Sequence, residues 1–127
     1  MEELIRIIKE LQSTNSRLEK EEILHNNKED DFIKRVFKFA FDPYITTGLS
    51  NKKLKKKVKA NGYHITHLDV LMEYLKKNNT GRDIDIATVQ GYMFLLTENG
   101  KEIVSQIVTK SLKIGCTAKT LNKVYGA

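Results

Sequence analysis

The sequence predicts an all-α domain, a compact bundle of about seven or eight short helices, because apolar residues recur three and four positions apart along most of the chain. One proline and seven glycines leave long uninterrupted stretches between them. No stretch shows the convincing alternation of apolar and polar residues that marks a half-buried strand. The length of 127 residues fits a single domain, residues 1–127.

Three helices are predicted in the first third of the chain. The first has an apolar stripe formed by Leu4, Ile5, Ile7, Ile8 and Leu11. Ser16 and Glu19 are spaced as a capping box and begin the second. Asp30 or Asp31 caps the third, which ends at Asp42-Pro43 because the residue before a proline disfavours the helical conformation. The buried face of this third helix is Phe32, Ile33, Val36, Phe37 and Ala40.

A lysine-rich helix is predicted next, with Ser50 or Asn51 as its cap. Leu54 and Val58 lie four residues apart and give this helix one narrow apolar stripe between its lysines. Asn61-Gly62 then marks a turn.

The second half of the chain is predicted to hold four more helices. Residues 66–69 read as a second capping box, and another helix covers residues 84–96. Asn99-Gly100 breaks the chain before a helix with the apolar face Ile103, Val104, Ile107, Val108 and Leu112. Gly115 ends that helix as a left-handed residue, and Thr117 caps a short last helix.

Charge is distributed unevenly along the chain. Residues 1–31 hold nine acids and five bases, a net charge of −4, whereas residues 32–127 carry +10. One dense basic run is Lys52, Lys53, Lys55, Lys56, Lys57 and Lys59. A second basic region is Lys101, Lys110, Lys113, Lys119 and Lys123. Charge alone leaves two interpretations open, a surface that binds a polyanion and an ordinary solvated face.

Several classes of protein are disfavoured by the composition. No stretch approaches the roughly 20 apolar residues of a membrane-spanning helix, so we expect no membrane association. The acidic start of the chain lacks the basic region of a secretory signal. Cys116, the single cysteine, excludes an internal disulfide, and we expect a cytoplasmic protein.

Catalytic chemistry is not indicated in this chain. His64 and His67 straddle a predicted helix start rather than sharing a helix face, so no metal site is expected. Cys116 lies in a turn with no obvious base and is interpreted as a structural or incidental thiol. There is no glycine-rich phosphate loop, and the N-terminal acids alternate with lysines as on a solvated helix face. We therefore expect no catalytic residue, no metal and no cofactor.

Three predicted helix starts combine cap residues with glycine or lysine, namely residues 47–53, 61–66 and 115–120. Unpaired N–H groups at a helix start suit a phosphate. Each of the three, taken alone, is more often an ordinary helix junction, but the three together with the net charge of residues 32–127 favour nucleic acid. Arginine is scarce, and lysine-rich surfaces follow the nucleic-acid backbone rather than the base sequence. Duplex binding without sequence preference is therefore expected.

Two segments of the chain resemble a known family. Residues 32–48 (FIKRVFKFAFDPYITTG) and residues 107–124 (IVTKSLKIGCTAKTLNKV) are similar to parts of the N-terminal DNA-binding domain of bacteriophage-type ATP-dependent DNA ligases. The family pattern in the second segment is Lys-Asp-Leu, a basic residue, a glycine, a small or hydroxyl stretch and Asn-Lys-Val. Ser111 stands where the family usually has Asp. The resemblance extends, in order, over nearly the whole chain.

The resemblance implies an all-helical, monomeric domain that grips nicked duplex DNA across the minor groove for a downstream catalytic domain. In the family that domain uses ATP and Mg²⁺ to adenylate a lysine in Lys-x-Asp-Gly. The adenylate then passes to the 5′-phosphate at the nick. Lys59-Ala60-Asn61-Gly62 is a near match, but Asn replaces Asp and the other nucleotidyltransferase motifs are missing. We therefore expect a non-catalytic chain, without the nucleotidyltransferase and OB domains, that serves DNA replication or repair.

The expected DNA contacts come from two sources. The resemblance implies Thr47, Gly48, Gly115, Thr117, Lys119, Thr120, Asn122 and Lys123. Charge alone adds Lys52, Lys53 and Lys55. For Asn122 a structural role, tying the last helix to the preceding turn, is an equal alternative.

Two other functions remain open at this point. A free-standing helix-turn-helix protein would read bases in the major groove, usually as a dimer, and the shortage of arginine argues against it. A basic module that binds an acidic protein, with no DNA role, would need an exposed apolar patch rimmed by charge.

Overall fold

The computed structural model describes residues 1–116 and 118–126 of the chain. Within these residues it contains eight helices and no strand, which confirms the all-α prediction. The helices are α1 (Glu2–Ser13), α2 (Arg17–Asn26), α3 (Asp31–Phe41), α4 (Asn51–Leu54), α5 (Leu68–Lys77), α6 (Asp83–Phe94), α7 (Glu98–Val108) and α8 (Ala118–Tyr125).

Helix α7 lies at the centre of the packing. It contacts α1, α3 and α6, while α2 packs between α1 and α8, α5 packs on α3, and α4 packs on α6. Most of the apolar stripes predicted for the first, third and seventh helices are buried, including Leu4, Phe37 and Ile107, whereas Ile5 and Phe32 are half-buried. Phe39, outside the predicted face of α3, is also buried. One continuous core results, and the last helix lies at its edge against α2.

Four helix starts show how short polar side chains fix the boundaries. Ser16, Asp30, Ser50 and Thr97 each accept a hydrogen bond from the backbone N–H three residues later, at 3.2 or 3.3 Å. These bonds satisfy N–H groups that have no partner inside the helix. The capping box at Ser16 is incomplete, because the Ser16 N–H is bonded by Thr14 Oγ1 at 3.1 Å instead of by Glu19.

The predicted lysine-rich helix is wrong beyond its first turn, since α4 ends at Leu54. Lysines four residues apart, such as Lys52 and Lys56, would repel one another on a continued helix. The chain instead follows α6, where Gln90 Nε2 donates to the carbonyl oxygens of Leu54 and Lys56 at 3.0 and 2.7 Å. Gly62 lies against the backbone of α6 so closely that a Cβ atom there would collide with Thr88.

Three further boundary predictions are corrected. The capping box at residues 66–69 does not form, because α5 begins after His67, whose side chain makes no capping bond. Asn99-Gly100 lies inside the first turn of α7, where the hydroxyl of Thr97 caps the helix. Gly115 has the predicted left-handed conformation, with φ +71°, but α7 ends at Val108, seven residues earlier.

A buried carboxylate joins α5 to α6. Asp85 is fully buried and accepts hydrogen bonds from the Tyr74 hydroxyl at 2.6 Å and from the backbone and guanidinium of Arg82 at 3.1 and 3.2 Å. Burial by itself would raise the pKa of Asp85, but these hydrogen bonds outweigh it and lower that pKa. The carboxylate therefore stays charged and fixes the start of α6.

Lys110, two residues after α7, fastens the end of α7 to the end of α3. Its φ of 60° is the only left-handed value among the non-glycine residues described. Its ammonium group donates to the carbonyl oxygens of Phe39 and, at 2.9 Å, of Asp42. It also lies 5.4 Å from the centre of the Phe39 ring. The Phe39 carbonyl belongs to the last turn of α3 and has no partner within the helix, so a cation is favoured there. The Asp42 carbonyl, just after the helix, also accepts a hydrogen bond from the Ile45 N–H at 3.1 Å.

We predict that Lys110→Met destabilises the fold by about 1–3 kcal/mol, because it leaves the Phe39 carbonyl oxygen unbonded. Lys113→Met is the matched control, since the Lys113 side chain is exposed and makes no hydrogen bond or ion pair within the described residues. Its effect should stay within about 0.5 kcal/mol. Urea unfolding followed by circular dichroism measures both. Equal stability of the two variants would contradict a role for the Lys110 ammonium.

Candidate nucleic-acid interface

Helix α8 carries four of the eleven predicted contact residues and is bordered by two clefts. On the α2 side, a cleft of about 280 Å³ is lined by Lys20, Gly115 and Lys119, among others. On the α3 side, a cleft of about 480 Å³ is lined by Lys34, Lys38 and Asn122, among others. The predicted residues of α8 therefore open to two sides rather than to one continuous surface.

The predicted residues on α8 differ in exposure. Lys119, Asn122 and Lys123 are exposed, whereas Thr120 is 7% exposed. Lys123 Nζ lies 3.5 Å from Glu21 on α2. The side-chain amide of Asn122 makes no hydrogen bond to a described residue. Thr117 lies outside the described residues.

The α3-side cleft contains basic residues that the sequence analysis did not select. Lys34 and Lys38 are exposed, lie one turn apart on α3 and form no ion pair within the described residues. In the sequence, the signal for these residues was two lysines four positions apart on a mainly apolar helix. Tyr125 forms part of the wall, and its buried hydroxyl has no hydrogen-bond partner among the described residues. Burial raises the pKa of Tyr125 to about 12.

The loop between α3 and α4 uses its two predicted residues for folding. Thr47 is 2% exposed, and its hydroxyl donates to the carbonyl oxygen of Val108 at 2.5 Å. Gly48 has φ +69°, and a Cβ atom there would collide with the backbone of residues 79–81. Thr47 therefore cannot present its side chain to a surface ligand, and Gly48 is required by the crossing of two loops.

The three lysines selected from charge lie on or just after α4. Lys52 and Lys55 are exposed, but the Lys53 ammonium donates to the Gly48 carbonyl at 2.9 Å and stabilises the loop. Lys55 shares a cleft with the acidic residues Glu98 and Glu102. These carboxylates weaken the local attraction for a phosphate. Lys52 is therefore the α4 lysine best placed for a polyanion.

The α3–α4 loop connects the two basic regions. Asp42 and Pro43 line both the α3-side cleft and a second surface depression that reaches Thr47 and Gly48. Tyr44, at the outside of this loop, is 94% exposed. We call the exposed lysines near these depressions the basic strip, namely Lys34 and Lys38 on α3, Lys52 on α4, and Lys119 and Lys123 on α8. Lys119 lines the cleft on the α2 side of α8, whereas Lys34 and Lys38 line the cleft on the α3 side.

No protein-family model matches the chain, and no curated protein matches it either. None of the described helices is long and apolar enough to cross a bilayer. Residues 1–116 and 118–126 contain no cluster of three or more His, Cys, Asp or Glu that could hold a metal ion.

We predict that Lys119→Glu combined with Lys123→Glu abolishes most duplex-DNA binding while the domain stays folded, because both side chains are exposed. Arg6→Glu combined with Lys9→Glu on α1 is the matched control, with the same change in charge away from the strip. Fluorescence anisotropy measures the affinity, and thermal unfolding checks the fold. An equal loss in both double variants would show that net charge matters and that α8 does not.

Proposed function

We propose that this chain binds duplex DNA without sequence preference, as the non-catalytic N-terminal domain of an ATP-dependent DNA ligase. In this role it holds nicked DNA by its backbone and minor groove for a downstream catalytic domain. ATP and Mg²⁺ belong to that catalytic domain. No residue of the present chain is assigned a chemical step.

The observation that carries the proposal is a group of exposed lysines without a carboxylate partner. On the strip, Lys34, Lys38, Lys52 and Lys119 form no ion pair within the described residues, whereas Lys123 lies 3.5 Å from Glu21. Elsewhere, Lys9, Lys56, Lys76 and Lys101 each lie within 3.5 Å of a carboxylate, although Lys113 is unpaired within the described residues. Unpaired ammonium groups attract a polyanion more strongly than the same charges paired with acids.

The side chains on the strip favour contact with the backbone over base recognition. Lysine supplies a point charge, whereas the commonest contact to guanine is a bidentate arginine. The chain has four arginines, Arg6, Arg17, Arg35 and Arg82. None of them is a residue of the basic strip. A duplex held in this way keeps the same affinity when its base sequence changes.

One observation favours a second function, binding to another protein. Phe94 and Leu95, at the end of α6, are 82% and 56% exposed. Exposed apolar side chains of this size are typical of interaction sites when they form a patch. They line neither cleft beside α8. Phe94→Ser should therefore leave duplex binding unchanged if the strip binds DNA.

Fluorescence anisotropy with labelled nicked duplex, intact duplex and single strand, each at several salt concentrations, tests the proposal. If six to ten phosphates are contacted, duplex affinity falls by about 10³–10⁵ between 50 and 200 mM salt. We expect the nicked duplex to bind at least as tightly as the intact one, and scrambled sequences to bind equally. Absence of duplex binding at low salt would overturn the proposal and favour an acidic protein partner.

A further inference from the structure

Lys20 on α2 is much less exposed than a lysine that only faces solvent. The residue is 9% exposed, and its ammonium group forms no ion pair or hydrogen bond with another described residue. The buried part is the four-carbon stem, because the ammonium nitrogen is not among the buried unbonded atoms of the described residues. The ammonium group therefore opens into the cleft without a partner among the described residues and is available to an anion that enters it.

The Lys20 ammonium reaches the α2-side cleft through a gap beside Gly115. A Cβ atom on Gly115 would collide with Lys20 Nζ and lie 3.2 Å from Lys20 Cε. The end of the Lys20 side chain therefore lies in the space that a side chain at residue 115 would take. The φ of +71° is what favours glycine at this position.

The cleft gathers further positive charge around this point. Arg17, Lys20 and Lys119 all line it, and Lys119 lies in the first turn of α8, where the helix dipole is positive. Glu21 is the nearby acid, and it is engaged by Arg17 and Lys123, each at 3.5 Å. Lys20 and Lys119 are left as the two cations with no carboxylate partner among the described residues.

From this arrangement we infer that Lys20, with Lys119 and the backbone at Gly115, forms a binding site for a phosphate group of the DNA backbone. The inference rests on the proposed function for the source of the phosphate. Lys20 is the deep cation, Lys119 the exposed one, and Asn15 at the rim supplies a polar side chain. The site takes a phosphodiester or a terminal phosphate, since either presents charged oxygens to the two ammonium groups.

Lys20→Met tests this site, because methionine keeps an unbranched apolar stem and removes the charge. We expect duplex affinity to fall about tenfold and the slope of log affinity against log salt to shrink by about one unit. Lys9→Met, on α1, is the control with the same change in net charge, and its slope should equal that of the unmodified chain. Circular dichroism and thermal unfolding establish that both variants fold.

A second measurement uses inorganic phosphate and needs no variant. In ¹⁵N–¹H NMR spectra, phosphate should shift the amide signals of Gly115 and Lys119 more than chloride does at the same ionic strength. The shifts should disappear in Lys20→Met where that variant folds.

The outcomes separate this inference from the proposed function. Duplex binding that is unchanged in Lys20→Met overturns the site and leaves the proposed function standing. If the unmodified chain binds no duplex, the proposed function fails. The phosphate titration then decides by itself whether the phosphate site exists. Shifts at Gly115 and Lys119 then identify a site for free phosphate, whereas their absence overturns the site.

Discussion

The ammonium group of Lys110 is the contact on which the arrangement of the basic strip depends. It bonds the carbonyl oxygens at the end of α3 and thereby fixes where the chain leaves α7. A non-glycine residue with φ of 60° is held against a steric cost, which the surrounding contacts must offset. The Thr47 hydroxyl adds a second bond from the α3–α4 loop to α7. Together they place the loop beside the segment that leads to α8.

Lysines in this domain perform two distinct tasks. Lys53 and Lys110 donate to backbone carbonyl oxygens and hold loops in place. Lys34, Lys38 and Lys119 have no such partner within the described residues and remain free to meet a ligand. Burial lowers the pKa of the Lys110 ammonium group, whereas the negative charge of Asp42 raises it. Because some lysines are bonded within the fold, the net charge of the chain is larger than the charge that a polyanion can contact.

The sequence was sufficient to predict the features that depend on local patterns. Apolar spacing identified α1, α3 and most of α7, and short polar residues marked the starts at Ser16 and Asp30. The lysine-rich segment does not continue α4 beyond Leu54. The carbonyl oxygens of Leu54 and Lys56 instead accept hydrogen bonds from the side chain of Gln90, which is distant in the sequence. No local pattern reveals such a competitor.

The candidate site was only partly predictable for the same reason. Lys119 and Lys123 are exposed as expected, but Thr47 is buried, because its partner Val108 is 61 residues away. Lys20 looked like one of several solvated helix lysines. Only its packing against Gly115, 95 positions later in the chain, shows that its ammonium group reaches the cleft beside α8.

The position of the interface is most directly tested by titrating the ¹⁵N-labelled chain with a nicked duplex and mapping the amide signals that change. We predict changes along α8, the Lys34–Lys38 face of α3, the loop at Tyr44 and the start of α4. We predict little change on α1 and α5. Changes centred on α1 or on Phe94 at the end of α6, with α8 unaffected, would contradict an interface along the basic strip.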